Sequence, residues 1–195
     1  MLPDVVIAAF LALSLALSFG RSLYESKKTK SLAKEDEPAG NEPFLLVGAI
    51  FALAFYIEMT AYPILVFLGY QNLLLKSFLQ LNFPFDSYVQ LFGIGLMVFG
   101  YLVVFWSLRI LEYEKLTIRG PYRYMRHPQY LGYFIVFFGF FLTLLNLIAL
   151  LPLLVIPGQV RMAAIEEEFL RRKYGDSYAK YERDTGRFLP KRPRG

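Results

Sequence analysis

Long runs of apolar residues without a charge dominate this sequence and limit it to folds that a lipid bilayer can accommodate. The clearest run spans residues 88–108, about the ~20 residues that a helix needs to cross a membrane. Hydrophobic residues make up 56% of the chain, whereas soluble domains contain roughly 45–50%. We therefore predict an all-α fold, a polytopic bundle of membrane helices that forms a single domain.

The N-terminal part of the chain is predicted to contribute three of these spans. The first, residues 5–19, follows Asp4 and lacks the basic region of a signal peptide, so we interpret it as a retained helix. The second and third are residues 44–68 and 88–108. Glu58 inside the second span would either grip the headgroup of a substrate or lie near the outer interface, and we favour the interface.

The last apolar run, residues 130–160, is too long for one ordinary helix. Asn146 near its middle predicts a tight turn between two helices, which makes them a hairpin and brings the total to five spans. Residues 1–108 then hold the three N-terminal spans, and residues 109–195 hold a loop, the hairpin, and a cytoplasmic C-terminal helix with its tail.

The distribution of Lys and Arg predicts the orientation in the membrane. Five of these residues lie in segment 20–43, five in segment 109–128 and ten after the last span, whereas segment 70–87 has only Lys76. Because basic residues concentrate in cytoplasmic loops, we expect the N-terminus outside and the C-terminus inside. The lack of a transit signature favours a prokaryotic plasma membrane.

Composition excludes several kinds of site. The chain has no cysteine, which rules out disulfides, thiolate catalysis and cysteine-based zinc sites. Its single histidine, His127, argues against a multi-histidine metal site, and we predict no metal. The net charge of +5 is attributed to topology and lipid headgroups rather than to nucleic acid.

The loop before the hairpin, residues 120–132, is unlike an ordinary connector. It reads Gly-Pro-Tyr-Arg-Tyr-Met-Arg-His-Pro-Gln-Tyr-Leu-Gly. Pro128 suits a first helical turn, and free N–H groups there, beside Arg126 and His127, would attract a ligand carboxylate. The alternative is an interfacial belt of Tyr and Arg, which has no need of an Arg-His pair bounded by proline.

A second unusual stretch begins where the last span leaves the membrane, with Glu166, Glu167 and Glu168 in succession. On a helix, at least one of these carboxylates should face inward while another faces water. An inward carboxylate would attract the ammonium or sulfonium group of a cationic cofactor. The alternative is a solvated face that forms salt bridges with the basic residues 171–173.

Together these stretches resemble the isoprenylcysteine carboxyl methyltransferase family, which is related to the phospholipid N-methyltransferases. The shared pattern is Gly-x-Tyr-x-x-x-Arg-His-Pro-x-Tyr-x-Gly, then Glu-Glu-x-x-Leu, Tyr-Gly-x-x-Tyr-x-x-Tyr and Thr-x-Arg-Phe-x-Pro, over about residues 115–191. The resemblance implies a membrane-embedded methyltransferase that uses S-adenosylmethionine and releases S-adenosylhomocysteine. Its cofactor would lie at the cytoplasmic face, where the two stretches fold against each other.

Carried over residue by residue, the resemblance predicts a cofactor site. Its residues would be Tyr122, Arg126, His127, Pro128, Tyr130, Glu166, Glu167, Tyr178, Tyr181 and Arg187. Glu166 or Glu167 would hold the amino group of the cofactor. Arg187, Glu167 and Arg126 are the predicted catalytic residues, with one of the two arginines orienting a carboxylate of the acceptor or of the cofactor.

The methyl acceptor is expected to be a lipidic or isoprenoid-bearing molecule that enters from the membrane. We favour a carboxylate acceptor, because it is already anionic at neutral pH and needs no base. An amine acceptor would have to lose a proton to a glutamate or to His127. An NADPH-dependent membrane reductase of the sterol type and a non-catalytic scaffold compete with the methyltransferase interpretation. A transporter is a third competitor, against which the absence of an internal repeat argues.

Overall fold

The computed structural model describes residues 1–30, 43–70, 80–112 and 115–191. Over these residues the structure is helical, without a β-strand, as predicted. The six α-helices of the described residues are α1 (Asp4–Lys30), α2 (Pro43–Phe67), α3 (Asp86–Ile110), α4 (Pro128–Leu144), α5 (Ile156–Tyr174) and α6 (Asp176–Asp184). Two 3₁₀ helices, Gly120–Arg123 and Leu147–Val155, precede α4 and α5.

Three stretches of the described residues are long and apolar enough to cross a bilayer: Asp4–Arg21, Asp86–Ile110 and Leu147–Tyr174. Helix α4, with 17 residues, rises about 25 Å, which is less than the ~30 Å of a typical hydrocarbon core. The described apolar part of α2, Phe55–Phe67, is also shorter than a span. These findings fit a membrane protein, while the count of five spans and the orientation stay predictions.

The turn predicted near Asn146 separates the two arms of the hairpin. Helix α4 ends where Leu145 adopts a left-handed conformation (φ 50°) and donates its N–H to the carbonyl of Phe141 at 2.8 Å. The side chain of Asn146 then accepts a hydrogen bond from the N–H of Ile148 at 2.9 Å. This cap satisfies a backbone donor at the start of the second arm, which continues as a 3₁₀ helix into α5.

Glycines allow α3 and α4 to pack backbone against backbone. A Cβ atom added at Gly100 of α3 would lie 2.7 Å from the carbonyl oxygen of Gly132 of α4. One added at Gly139 of α4 would lie 2.7 Å from the carbonyl oxygen of Gly93 of α3. Close approach through small residues is a usual way for membrane helices to associate. It fixes the start of α4 against α3.

Helix α6 turns back from the end of α5 and brings the C-terminal segment to the start of α4. The reversal occurs at Gly175, whose φ of 50° favours glycine. Before α4 in the chain, the 3₁₀ helix Gly120–Arg123 places Pro121 and Tyr122 in buried positions. The chain on both sides of the hairpin therefore converges on the first turn of α4.

Candidate active site

The loop before α4 and the C-terminal segment pair through their backbones. The N–H of Arg126 donates to the carbonyl of Gly186 at 2.8 Å, and that of His127 donates to the carbonyl of Arg187 at 3.0 Å. In return, the N–H of Gly186 donates to the carbonyl of Tyr124 at 3.1 Å. The predicted contact between these two parts of the chain is thus confirmed. The N–H groups of Arg126 and His127 thus bind the chain itself, and the predicted binding of a ligand carboxylate at the start of α4 stays a prediction.

Glu167 lies at the centre of the contact and is the glutamate that faces inward. Its carboxylate lies 2.9 Å from Nε of Arg126, 3.1 Å from Nε2 of His127 and 3.3 Å from Nη2 of Arg187. Only 5% of the Glu167 side chain is exposed. Since a buried charge requires partners, this carboxylate and the surrounding cations stabilise one another and join α5 to both segments.

Arg126 uses its guanidinium to hold the C-terminal segment in place. Its Nη1 donates to the backbone carbonyls of Glu182 at 3.1 Å and Thr185 at 2.9 Å, beyond the bond from Nε to Glu167. Its Nη2 lies 3.7 Å from the carboxylate of Glu182. The structure therefore gives Arg126 a clear part in positioning the chain, and its catalytic role stays a prediction.

His127 is enclosed by two carboxylates. Its Nε2 lies 3.1 Å from Oε1 of Glu167, and its Nδ1 lies 3.5 Å from Oε2 of Glu166. Burial lowers the pKa of His127, but the hydrogen bonds and charges of the two glutamates outweigh burial and raise this pKa overall. A carboxylate at each nitrogen favours the protonated form of the imidazole, which disfavours His127 as an acceptor of a proton.

Glu166 faces a different environment from that of its neighbour. Its Oε1 accepts a hydrogen bond from the hydroxyl of Tyr130 at 2.5 Å. The side chain of Glu166 is 42% exposed and borders a cavity. This carboxylate is fixed in orientation yet accessible, which suits the binding of a cation.

That cavity, called the outer cavity below, has a volume of about 390 Å³. Eight of the predicted site residues line it: Tyr122, Arg126, His127, Pro128, Tyr130, Glu166, Tyr178 and Tyr181. Its described walls do not include Glu167 or Arg187. These two therefore lie behind the wall, and their predicted roles toward a ligand stay predictions.

Sequence reasoning missed the other side of the outer cavity. That side is formed by Leu111, Glu112, Lys115, Leu116, Thr117, Gln129, Phe169, Leu170, Lys173 and Tyr174. The loop after α3 is closed by hydrogen bonds of the Thr117 hydroxyl with the N–H and carbonyl of Glu112, at 2.9 and 3.3 Å. One signal was available, since this loop mixes charged and apolar residues between a span and the Arg-His-Pro motif.

The two tyrosines of α6 have different hydrogen-bonding states. The hydroxyl of Tyr181 donates to the backbone carbonyl of Tyr122 at 2.8 Å. The hydroxyl of Tyr178 is buried and has no hydrogen-bond partner among the described residues. Burial raises the pKa of both phenols, so both keep their protons. A buried donor without a partner at a cavity wall points to a ligand.

Arg187 is only partly buried at the contact between the loop before α4 and the C-terminal segment. Its side chain is 34% exposed and its guanidinium lies 5.4 Å from the ring centre of Phe188. The Nε atom is buried and makes no hydrogen bond within the described part of the chain. The same described part contains no group of three or more His, Asp or Glu residues suited to a metal ion.

Comparison with known proteins gives a match over the central and C-terminal part of the chain. Residues 88–177 match the model of the family described as phospholipid methyltransferase. The matched segment runs from α3 through the Arg-His-Pro loop and the hairpin to the glutamates of α5 and the start of α6. No curated protein matches the sequence significantly. The predicted recognition is therefore confirmed for this part of the chain, since residues 88–177 match the phospholipid methyltransferase family.

Proposed function

We propose that this chain is an integral-membrane methyltransferase that uses S-adenosylmethionine and acts on a lipidic acceptor. The outer cavity is the observation that carries the proposal, because it lies within the contact that the matched segment forms with the C-terminal segment. Its volume of about 390 Å³ falls in the range of roughly 300–1,000 Å³ that is usual for small-molecule sites.

The residues of the outer cavity fit the groups that this cofactor carries. The accessible carboxylate of Glu166 suits a cationic ammonium or sulfonium. The buried hydroxyl of Tyr178 offers a donor to a polar atom, and the rings of Tyr122 and Tyr181 offer surfaces for stacking. When bound, S-adenosylmethionine supplies an electrophilic methyl group.

The ion pairs and hydrogen bonds that Glu167 and Arg126 make would keep the groups that line the outer cavity aligned. Glu167 fixes Arg126 and His127, and Arg126 fixes the carbonyls at the end of α6. Methyl transfer is an in-line displacement whose rate depends on alignment of the reacting atoms at about 3–3.5 Å. We therefore assign Glu167, Arg126 and Arg187 as positioning residues, and Glu166 and Tyr178 as ligand-binding residues.

A carboxylate acceptor, as in isoprenylcysteine O-methylation, suits the charges of the site. The two glutamates raise the pKa of His127 and so favour its protonated form, and the Glu167 carboxylate is paired with Arg126 and Arg187, so both side chains are poorly suited to remove a proton from an acceptor. Lys115 and Lys173 line the outer cavity and favour an anion. A carboxylate needs no base and is attracted by these charges.

A lipid amine is the second candidate, and two observations favour it. The family that matches residues 88–177 is described as phospholipid methyltransferase. Glu166 is also accessible enough to attract an ammonium group and to receive its proton. In that case the same cavity would carry out N-methylation.

Labelled methyl groups distinguish the two acceptors. The purified protein is incubated with S-adenosylmethionine that carries a radioactive methyl group and with extracted membrane lipids, and the lipid product is treated with base. A methyl ester releases volatile methanol, whereas an N-methyl group remains on the lipid. Without transfer of label to any lipid, the proposal of a lipid methyltransferase would fail.

Cofactor binding is tested separately by titration with S-adenosylhomocysteine and with NADPH. We expect S-adenosylhomocysteine to bind, and Glu166→Gln to weaken this binding by about tenfold, which corresponds to about 1.4 kcal/mol. Glu168→Gln is the matched control, because the neighbouring Glu168 side chain is 68% exposed. Binding of NADPH instead of S-adenosylhomocysteine would favour a reductase.

A further inference from the structure

His127 and Glu166 meet at the wall of the outer cavity, which both side chains line. Nδ1 of His127 lies 3.5 Å from Oε2 of Glu166, whereas strong N–H···O hydrogen bonds measure about 2.7–3.2 Å. The other oxygen of Glu166, Oε1, accepts the bond from the hydroxyl of Tyr130 at 2.5 Å. Tyr130 therefore anchors the carboxylate through Oε1, and Oε2 can bind a ligand without the loss of a strong bond.

The second carboxylate at His127 is closed to a ligand. Glu167 lies 3.1 Å from Nε2 of His127, and its carboxylate also pairs with Arg126 at 2.9 Å and with Arg187 at 3.3 Å. The side chain of Glu167 is 5% exposed, against 42% for that of Glu166. A ligand in the outer cavity therefore changes the charge on the Nδ1 side of the imidazole and leaves the Nε2 side as it is.

The charged and titratable groups around the imidazole come from several parts of the chain. The two glutamates of α5 contact its nitrogens, and the guanidiniums of the loop and of the C-terminal segment share Glu167 with it. From α4, the ring centre of Tyr130 lies 5.5 Å from that of His127. The phenols of α6 and the ammonium groups of Lys115 and Lys173 line the same cavity. Of these groups, only the two glutamates bring a negative charge to the imidazole nitrogens.

The charge of Glu166 thus helps to determine the protonation of His127. Burial lowers the pKa of His127, whereas the hydrogen bonds and charges of Glu166 and Glu167 raise it overall. A cation bound at Oε2 would neutralise Glu166 and place a positive charge within a few ångströms of Nδ1. Both changes favour the neutral imidazole.

We propose that a cationic ligand of the outer cavity displaces a proton from His127, because its ammonium group and the imidazole compete for the carboxylate of Glu166. The proton leaves Nδ1 for water, and the proton on Nε2 stays in its bond to Glu167. This inference rests on the proposed function, since it takes the ammonium group of S-adenosylmethionine as the cation. Because binding effects are reciprocal, the proton and the ligand weaken each other's binding by the same factor. His127 would then be the residue that responds to the charge of the ligand.

The test reads His127 directly, because it is the only histidine of the chain. The full-length protein is prepared in detergent without a polyhistidine tag and with isotope-labelled histidine, and its imidazole is titrated by nuclear magnetic resonance. We expect saturating S-adenosylhomocysteine to lower the pKa of His127 by at least about 0.5, which is about threefold weaker binding of the proton. Methylthioadenosine, which carries the nucleoside and the sulfur but no ammonium group, should leave this pKa unchanged. A pKa that S-adenosylhomocysteine leaves unchanged or raises would overturn the proposal, as would equal lowering by both ligands.

Two variants assign the effect to Glu166. In Glu166→Gln the pKa of His127 should already be lower without a ligand, and saturating S-adenosylhomocysteine should lower it no further. Glu168→Gln, at a side chain that is 68% exposed, is the control and should behave like the unaltered protein. A ligand-induced change in Glu166→Gln as large as that in the unaltered protein would show that competition for Glu166 is wrong.

Failure of this inference and failure of the proposed function give different results. Binding of S-adenosylhomocysteine without a change at His127 overturns the competition alone. If the unaltered protein binds no S-adenosylhomocysteine at any pH, the proposed function fails and the competition fails with it. Calorimetry provides an independent check, since the affinity for S-adenosylhomocysteine should rise as pH increases from 6.5 through the pKa of His127.

Discussion

Replacing Glu167 by glutamine should destabilise the fold more than any other loss of a single negative charge in the C-terminal segment. The substitution keeps the shape of the side chain but leaves the guanidinium of Arg126 and the imidazole of His127 opposite a neutral amide. The side chains of these two residues are only 10% and 5% exposed, so water cannot replace the carboxylate. Breaking a buried ion pair in this way costs about 3–5 kcal/mol.

The free energy of unfolding is measured by titrating the detergent-solubilised protein with sodium dodecyl sulfate and following helix content by circular dichroism. Glu168→Gln is the control, because the ion pair of Glu168 with Arg172 joins side chains that are 68% and 71% exposed and should contribute at most about 1 kcal/mol. A loss in Glu167→Gln no larger than that in the control would refute the view that Glu167 joins α5 to the two segments.

Three further predictions follow from other contacts. Gly100→Ala should lower the free energy of unfolding by about 1–3 kcal/mol, since the added Cβ would lie 2.7 Å from a carbonyl oxygen of α4. Gly95→Ala is the control and should not lower it, because a Cβ there meets nothing within 4 Å. Equal effects of the two substitutions would contradict the close packing of α3 on α4. Tyr178→Phe should weaken S-adenosylhomocysteine binding about 2- to 12-fold without lowering the free energy of unfolding, because the hydroxyl that it removes has no partner among the described residues. Tyr181→Phe should lower that free energy by about 1 kcal/mol, because it removes a hydrogen bond. Calorimetry and unfolding test the pair, and unchanged binding in Tyr178→Phe would contradict the first prediction. Because the pKa of His127 is raised from 6.5 in the folded state, protonation of His127 adds to the free energy of unfolding; this contribution is complete below pH 6.5 and is lost as pH rises through the raised pKa. Measurements of unfolding across this pH range should show the decline in stability. A decline that persists in His127→Gln would contradict its assignment to this residue.

Much of the helical architecture could be predicted because the apolar runs end at polar residues. The span predicted at 88–108 is part of Asp86–Ile110 in the structure, and that predicted at 44–68 corresponds to Pro43–Phe67. The hairpin turn could also be predicted, since Asn146 caps the second arm through its own side chain. Local chemistry determines these features, and tertiary contacts did not need to be known.

The site could be predicted only in part because it depends on contacts that are distant in sequence. Its two segments were brought together by a resemblance, as no spacing rule predicts that Arg126 binds carbonyls near residue 185. The backbone bonds of Arg126 and His127 to the C-terminal segment likewise join residues about 60 positions apart. A second cavity of about 200 Å³ had no sequence signal, because the residues that line it come from five helices.

The three consecutive glutamates show why position, rather than acidic character, determines what each can do. Successive residues of a helix point about 100° apart, so a single turn of α5 presents its carboxylates to three environments. Glu167 faces the buried cations, Glu166 faces the outer cavity beside Tyr130, and Glu168 faces the exterior, with side-chain exposures of 5%, 42% and 68%. Because Glu167 neutralises the cations of the fold, Glu166 remains accessible to a ligand. A rotation of α5 by one residue would exchange these roles, so the packing that fixes its rotation also determines the chemistry of the site.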